Sequence, residues 1–563
     1  MYASLKPIEK TFPIILFSLE FIYLAYIHSW EVDPHHDGIM YTAAVGVYEG
    51  KIPNRDFFAQ YGPISPVIQG LWFQMTNPSV WSMKLLSSFG LALIGTFIYI
   101  GVKRRLSILT SMLLSICWVL TGPFGLPWSS IFSTTFILGS LLLLESTLSS
   151  RSPKKSVYFS FATGFILAVG TFTRIHTILV FFAFSLGLLL LNRNREYFRI
   201  TTWLNLGFFL TFGVITLILA ICDALPSLIN QCLIWASGNY GGAPQLAVSF
   251  FVNLAWIPLF GTMNLLILWQ IIASKSMKGV RFLVLSTFFC YSTFVVLSQL
   301  SHPGVHTLKD LRALEIIGGQ KAQFSFNFTV IIFFLVVIYI FLLKPAKNLG
   351  FLTFITTQAQ FTYVLIALAA STQLYPFPDE YHIAFVVPVI IVSCIFVIPK
   401  NLKLAPQQVA FNYLALALIP ALIAHFLLLA KVERYEFQSK SLTGMYGSWQ
   451  SAKSLDMTMS QLEPEPSGIR FECADGIYAG SGGRYLSVDE KFVTWGPKAQ
   501  ERKAFDRLFL CYVDQKILDS YLKRGWDIKF KVLWRPITGY SETSYWNVLL
   551  EKSELSLSRG GLG

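Results

Sequence analysis

Ionisable and aromatic residues crowd one short stretch of this chain. It begins Asp33-Pro34-His35-His36-Asp37-Gly38-Ile39-Met40-Tyr41 and continues as Gly50-Lys51-Ile52-Pro53-Asn54-Arg55-Asp56-Phe57-Phe58-Ala59-Gln60-Tyr61-Gly62-Pro63. Carboxylates among imidazoles and cations can take a proton from a nucleophile, stabilise an anion or hold a metal. Asp33 before Pro34 has the form of a helix N-cap and first-turn pair, and Gly50 suits a helix stop. The helix between them is too short to cross a bilayer. Ile39, Ala43 and Val47 make an apolar stripe at i, i+4, i+8, while Asp37, Tyr41, Ala44 and Tyr48 share another face. That pattern predicts a helix lying at a membrane surface, with Asp37 at the level of the headgroups. A plainer reading makes Asp33 a cap and Asp37 a first-turn charge favoured by the helix dipole. Asp37 has the stronger claim on chemistry, because His35, His36, Arg55 and Asp56 share its stretch. Asp33, His35, His36 and Asp37 are chemically fit for a metal, but their spacing matches no structural zinc pattern. A divalent ion is therefore not favoured, and none is required.

Two further groups lie elsewhere. Gly170-Thr171-Phe172-Thr173-Arg174-Ile175-His176 interrupts an otherwise apolar run. An arginine at such depth is costly and is usually paired or functional; snorkelling to headgroups is the alternative. The second group is Gln373-Leu374-Tyr375-Pro376-Phe377-Pro378-Asp379-Glu380-Tyr381-His382. Its prolines fix a turn, and Asp379 and His382 fall about one helical turn apart; Asp379 could equally be a helix cap. His302, His306, Lys309, Asp310 and Arg312 form a weaker set.

The elements that must position these residues are membrane helices. Of 563 residues, 54% are hydrophobic and 13% charged, and the mean hydropathy is +0.56. About thirteen apolar runs approach the ~20 residues a spanning helix needs. Their cores are 11–29, 80–101, 106–121, 129–148, 157–173, 175–191, 201–222, 247–273, 282–299, 324–343, 350–372, 382–398 and 408–430. The stretch 157–191 reads either as two short helices or as one long tilted one. The formal charge of +13 does not signal nucleic acid, because the cations cluster in short loops between apolar runs. With the N-terminus in the cytoplasm, every second loop is basic: Lys103-Arg104-Arg105; Arg151, Lys154, Lys155; Arg193, Arg195, Arg199; Lys275, Lys278, Arg281; Lys344, Lys347; Lys400, Lys403. The alternation follows the positive-inside rule and puts the 30–79 loop and residues 431–563 outside. Lys6 and Lys10 precede a first apolar run with no small-residue cleavage pattern, so it reads as a retained helix. Residues 1–430 are thus expected to form a transmembrane bundle. Residues 431–563 are expected to form an extracytoplasmic α/β or mainly β domain, with strands at Ile528–Trp534 and Tyr545–Leu550. Cys473 with Cys511, and Cys222 with Cys232, could each pair on an oxidising face or remain free thiols.

Asp37 just past the first membrane helix, then Tyr41 and Ala43, then Gly50 and Tyr61-Gly62-Pro63, resembles the GT-C superfamily of membrane glycosyltransferases. It is most similar to the branch holding protein O-mannosyltransferases and aminoarabinose transferases. Gly38 stands where that branch usually has a second acid. The Arg55-Asp56-Phe57-Phe58 run and the spacing of Pro376, Asp379 and His382 resemble a bacterial GT-C-type subgroup. The resemblance implies a multi-pass plasma-membrane enzyme with no soluble nucleotide donor. It would move a sugar from a polyprenyl-phosphate carrier to a glycan, lipid or protein acceptor on the outer face. It further implies Asp37 as general base and Arg174, with Arg55 or Lys51, on the donor phosphate. Asp33, His35, His36, Tyr41, Asp56, Tyr61, His176, Asp379 and His382 would be supporting residues. No Walker loop or GxGxxG motif argues for a nucleotide. A transporter or flippase of lipid-linked glycans would need repeated halves and midspan charges, of which only Glu20 is evident. A receptor or assembly factor acting through its tail is the other alternative.

Overall fold

A computed structural model gives the fold over residues 6–30, 32–33, 36–59, 61–121, 127–190, 195–234, 360–374, 380–397, 434–462, 469–472, 507–513, 515–534 and 545–552. The spans expected at 247–273, 282–299, 324–343 and 408–430 lie outside these residues, as do His35, Asp379, Cys473 and the 301–312 loop. The helices are α1 (Lys6–His28), α2 (His36–Tyr48), α3 (Ile64–Met75), α4 (Val80–Lys103), α5 (Ile108–Thr121), α6 (Ser129–Leu148), α7 (Pro153–Thr173), α8 (Thr177–Leu190), α9 (Arg195–Ile221), α10 (Leu225–Ile229), α11 (Gln360–Ala370) and α12 (Glu380–Val397). Among the described residues, Thr11–His28 and all of α4, α6, α7 and α9 are long and apolar enough to cross a membrane. The fold is mainly α, with small sheets in the C-terminal region.

Apolar stripes and small residues dictate the packing. Helix α7 lies against α6 and α9, α1 against α4, α8 against α11, and α12 against α4 and α6. At the α7–α9 crossing, a Cβ on Gly164 would meet the Leu204 carbonyl oxygen at 2.0 Å, and one on Gly207 would meet that of Phe161 at 2.2 Å. The helices touch backbone to backbone there, as small residues permit. Glu20, the midspan acid of α1, is buried against α4 and α5. Its Oε1 accepts from Ser115 Oγ at 2.6 Å, and the missing Cβ of Gly95 leaves room for its Oε2. At the far end of α4 from Asp37, two cations of the α4–α5 loop reach into the bundle. Arg105 pairs with Glu145 at 2.8 Å, Tyr363 hydrogen-bonds Glu145, and Arg104 donates to Leu142 O at 3.2 Å.

Three expectations are sharpened. The 157–191 stretch is two helices, broken where Arg174 takes extended backbone at φ −151°, ψ 118°. The 30–79 loop contains α3, whose Pro66 falls in a first turn that tolerates proline. The polar face of helix α2 turns into protein, and its apolar stripe is the more exposed one. Asp37, Tyr41 and Ala44 are buried in protein, whereas Ile39, Ala43 and Val47 are half-exposed. Its end is a Schellman turn: Gly50 at φ +81° donates to Val47 O and Lys51 N–H to Gly46 O, each at 2.9 Å.

The C-terminal region carries β1 (Arg434–Glu436), β2 (Tyr446–Ser448), α13 (Trp449–Leu462), β3 (Ile469–Glu472), β4 (Arg507–Val513), α14 (Gln515–Leu522), β5 (Trp526–Trp534) and β6 (Tyr545–Lys552). The larger sheet has order β3-β4-β6-β5, with β3 parallel to β4 and the other pairs antiparallel. Strand alternation sends Phe509 and Leu549 into one core with Met459 and Leu462 of α13. It sends Leu508, Leu510, Val548 and Leu550 into another with Leu518 of α14. This region docks on the end of the bundle that carries α2: Tyr446 N–H donates to Ser29 O at 2.8 Å, and Gly444 sits against the Trp81 ring.

Replacing Gly164 or Gly207 by Val should lower the thermal unfolding midpoint in detergent. Overpacking of this kind costs about 1–3 kcal/mol. An unchanged midpoint would show that α7 and α9 are not in close contact.

Candidate active site around Asp37 and Arg174

Asp33 starts α2 and also joins the site. Its Oδ1 accepts the His36 N–H at 3.0 Å, and its Oδ2 lies 2.9 Å from His36 Nδ1. One turn on, Asp37 projects inward with no exposed surface. Its Oδ2 accepts from the Asp33 N–H at 2.9 Å and from Lys84 Nζ at 2.8 Å. Its Oδ1 is buried without a hydrogen-bond partner. Burial pushes the carboxyl up to about 6, against the opposing charge of Lys84, with Asp33 adding a smaller push upward. A carboxylate with one oxygen anchored, one oxygen free and a value near neutrality is suited to accept a proton.

Lys84 was not singled out from the sequence. It lies near the start of α4 and is 2% exposed. The rule that an intramembrane cation is paired or functional applies to it as it does to Arg174. Behind it, Ser88 Oγ donates to Lys84 O at 2.9 Å and lies 2.8 Å from His28 Nδ1.

Arg174 is buried at the α7–α8 break. It donates to Ser130 Oγ near the α6 N-terminus and, at 3.5 Å, to Gln373 O, and its guanidinium lies 5.7 Å from the Tyr61 ring centroid. Tyr61 is held there by Gly62. At φ +136°, a Cβ on Gly62 would lie 2.3 Å from the Phe172 carbonyl oxygen, so only glycine lets the first loop press against the end of α7. Upstream, Gln231 clamps the same loop. Its Oε1 accepts from Asn54 Nδ2 at 2.8 Å and from the Ala59 N–H at 3.0 Å, and its Nε2 donates to Asn54 O at 3.1 Å.

An aromatic bridge joins the two halves. The Trp128 indole lies 5.5 Å from the His36 ring and 5.4 Å from the His382 ring. Burial, then the neighbouring Arg174 and His382, lowers His176 to about 4, so its imidazole is neutral at neutral pH; its Nδ1 is buried without a partner. Asp33, His36 and Asp37 thus stand on one side of Trp128, and His382, His176, Arg174 and Tyr61 on the other. Arg55 and Asp56 form a separate, partly exposed pair at 2.8 Å, from which Arg55 reaches Cys222 O at 3.4 Å. Lys51 is exposed near Glu49 and Asp56. Tyr41 packs on Phe73 with centroids 5.9 Å apart and serves the α2–α3 contact. Cys222 and Cys232 are free thiols rather than a disulfide, Cys232 donating to Ala59 O at 3.5 Å. Among the described residues, no group of three or more His, Cys, Asp and Glu is arranged to hold a metal.

No protein-family model and no curated protein matches the sequence. Solved structures are similar to it at low identity. ArnT from Cupriavidus metallidurans bound to undecaprenyl phosphate is 11% identical with a TM-score of 0.46, over 97% of this chain and 99% of that one. The apo state of the same protein gives 12% and 0.43, over 96% and 98%. The Archaeoglobus fulgidus oligosaccharyltransferase tethered to an acceptor peptide gives 13% and 0.41, over 88% of this chain and 61% of that one.

Replacing Lys84 by Met should raise the Asp37 value above about 6, because burial then acts without the compensating cation. If Asp37 works ionised, wild-type activity falls as the pH drops through about 6, and the variant's acid limb moves to higher pH. A pH–rate profile of the Lys84→Met protein with an unmoved acid limb would rule out this coupling.

Proposed function

We propose that the chain is an integral membrane glycosyltransferase. It moves a sugar from a polyprenyl-phosphate donor to a hydroxyl of a glycan, lipid or protein acceptor. One observation carries the reading. A buried carboxylate with one unpartnered oxygen and a buried guanidinium flank one aromatic bridge, the Trp128 ring between His36 and His382, in a bundle of apolar helices. The resemblance of the first loop to GT-C enzymes supports it.

In this reading the acceptor oxygen attacks the anomeric carbon and forms the new glycosidic bond. The bond from that carbon to the phosphate oxygen breaks, and its electron pair leaves with the phosphate. The acceptor proton passes to Asp37 Oδ1, the oxygen that no protein group uses. Lys84 and the Asp33 N–H hold the other oxygen, so the carboxylate is oriented before substrate arrives. Arg174 bears the charge that grows on the leaving phosphate. The N-terminus of the 20-residue α6, where Ser130 touches Arg174, adds the positive end of a helix dipole. Phosphate is already a good leaving group, so one carboxylate suffices and no metal is needed. The basic-loop pattern supports a plasma-membrane protein with its N-terminus in the cytoplasm and residues 431–563 outside. Of the residues carried by the resemblance, His36, Tyr61, His176 and His382 support the cluster, while Lys51, Arg55, Tyr41 and Asp56 hold the loop that frames it.

The test is transfer from radiolabelled polyprenyl-phosphate sugars in membrane vesicles. Asp37→Asn should lose roughly 10²–10⁴-fold in rate with the protein still folded. Arg174→Gln should lose roughly 10²–10³-fold. Undiminished transfer by Asp37→Asn removes the base.

A further inference from the structure

We infer that Gln373 reads the hydroxyl groups of the transferred sugar. The inference rests on the donor reading above and deepens it. Gln373 lies in the 3₁₀ turn Ser371–Leu374 that follows α11, and its backbone carbonyl accepts from Arg174 Nη2 at 3.5 Å. Its side chain is 1% exposed, yet neither Nε2 nor Oε1 has a hydrogen-bond partner. Buried polar groups are nearly always paired, and each unpaired one costs about 1–3 kcal/mol. Two more unpartnered polar atoms share the neighbourhood: His176 Nδ1, two residues beyond Arg174, and Ser129 Oγ, beside the Ser130 that holds Arg174.

The chemistry of the amide chooses the ligand. Nε2 only donates and Oε1 only accepts. An ionised phosphate oxygen accepts, so it would satisfy Nε2 and repel Oε1. A hydroxyl both donates and accepts, and two adjacent hydroxyls on a sugar ring satisfy both ends at once. Arg174, with five donors and no acceptor, is the complement of a phosphate. The two residues therefore divide the donor: Arg174 takes the phosphate and Gln373 the sugar attached to it. Neutral His176 adds a second group able to meet a hydroxyl.

The experiment measures binding to the full-length protein in nanodiscs. The probes are undecaprenyl phosphate, a panel of undecaprenyl-phosphate hexoses and pentoses, and deoxy versions of the best binder. Gln373→Met, of similar size, and Gln373→Asn, a shortened amide, are compared with wild type after apo thermal unfolding. Gln373→Met should weaken the best sugar-bearing lipid about 10–100-fold, the value of one or two hydrogen bonds, and change bare undecaprenyl phosphate less than about 2-fold. One deoxy sugar should bind wild type worse yet lose little further with Gln373→Met. Equal losses for bare and sugar-bearing lipid, or no loss for either, would overturn the role of Gln373 and leave the donor reading standing. Failure of wild type to bind any of these lipids would overturn the donor reading and this inference with it.

Discussion

A fully buried ion pair, Lys84 with Asp37, sets the geometry on which the rest of this end of the molecule depends. Removing one partner of such a pair typically costs about 3–5 kcal/mol, because the other is left charged without solvent. The pair pins α2 to α4 and fixes which face of α2 turns inward. The apolar stripe of α2 is half-exposed because the polar face is committed to Lys84. The same pair uses one carboxylate oxygen and leaves the other without a partner, the oxygen that the proposed reaction would use.

Around this pair, the first loop is held by its own glycine and by distant residues. Gly62 brings the loop against the end of α7 and sets Tyr61 beside Arg174, while Gln231 gathers Asn54 and Ala59. The opposite end of the bundle is built on different chemistry. There Arg105, Glu145 and Tyr363 satisfy one another. Arg105 and Glu145 find each other there, whereas Asp37, His176 and Gln373 each keep an unpartnered polar atom.

Much of the fold was legible in the sequence because bilayer-length apolar runs and basic loops are coarse signals. The approximate positions of α4, α6, α7 and α9, and of β5 and β6, expected at 528–534 and 545–550, follow from composition and alternation alone. Arg174 stood out as a charge interrupting an apolar run, and Asp37 as a carboxylate in a dense polar stretch. Lys84 was overlooked although it obeys the same rule, since one cation near a helix start reads as an interfacial residue. That Lys84 of α4 packs on the polar face of α2 was illegible, because a 13-residue helix does not name its neighbour. The pairing of Arg55 with Asp56, next in sequence, was illegible because it depends on how the loop folds. Gln373 gave no signal, as an amide in a loop says nothing until its burial is known.

The clamp on the first loop has a consequence for biogenesis. Asp37 emerges from the ribosome early, and Lys84 follows within the next few helices. The residue that shapes the loop, Gln231, is 177 positions beyond Asn54, and Gln373 is 199 beyond Arg174. Chains are made from the N-terminus, and early segments insert before late ones exist. A nascent or truncated chain therefore carries the Asp37–Lys84 pair but not the later residues that hold the first loop and touch Arg174. On the proposed function, the order of synthesis would leave half-built copies without the contacts that shape the donor site.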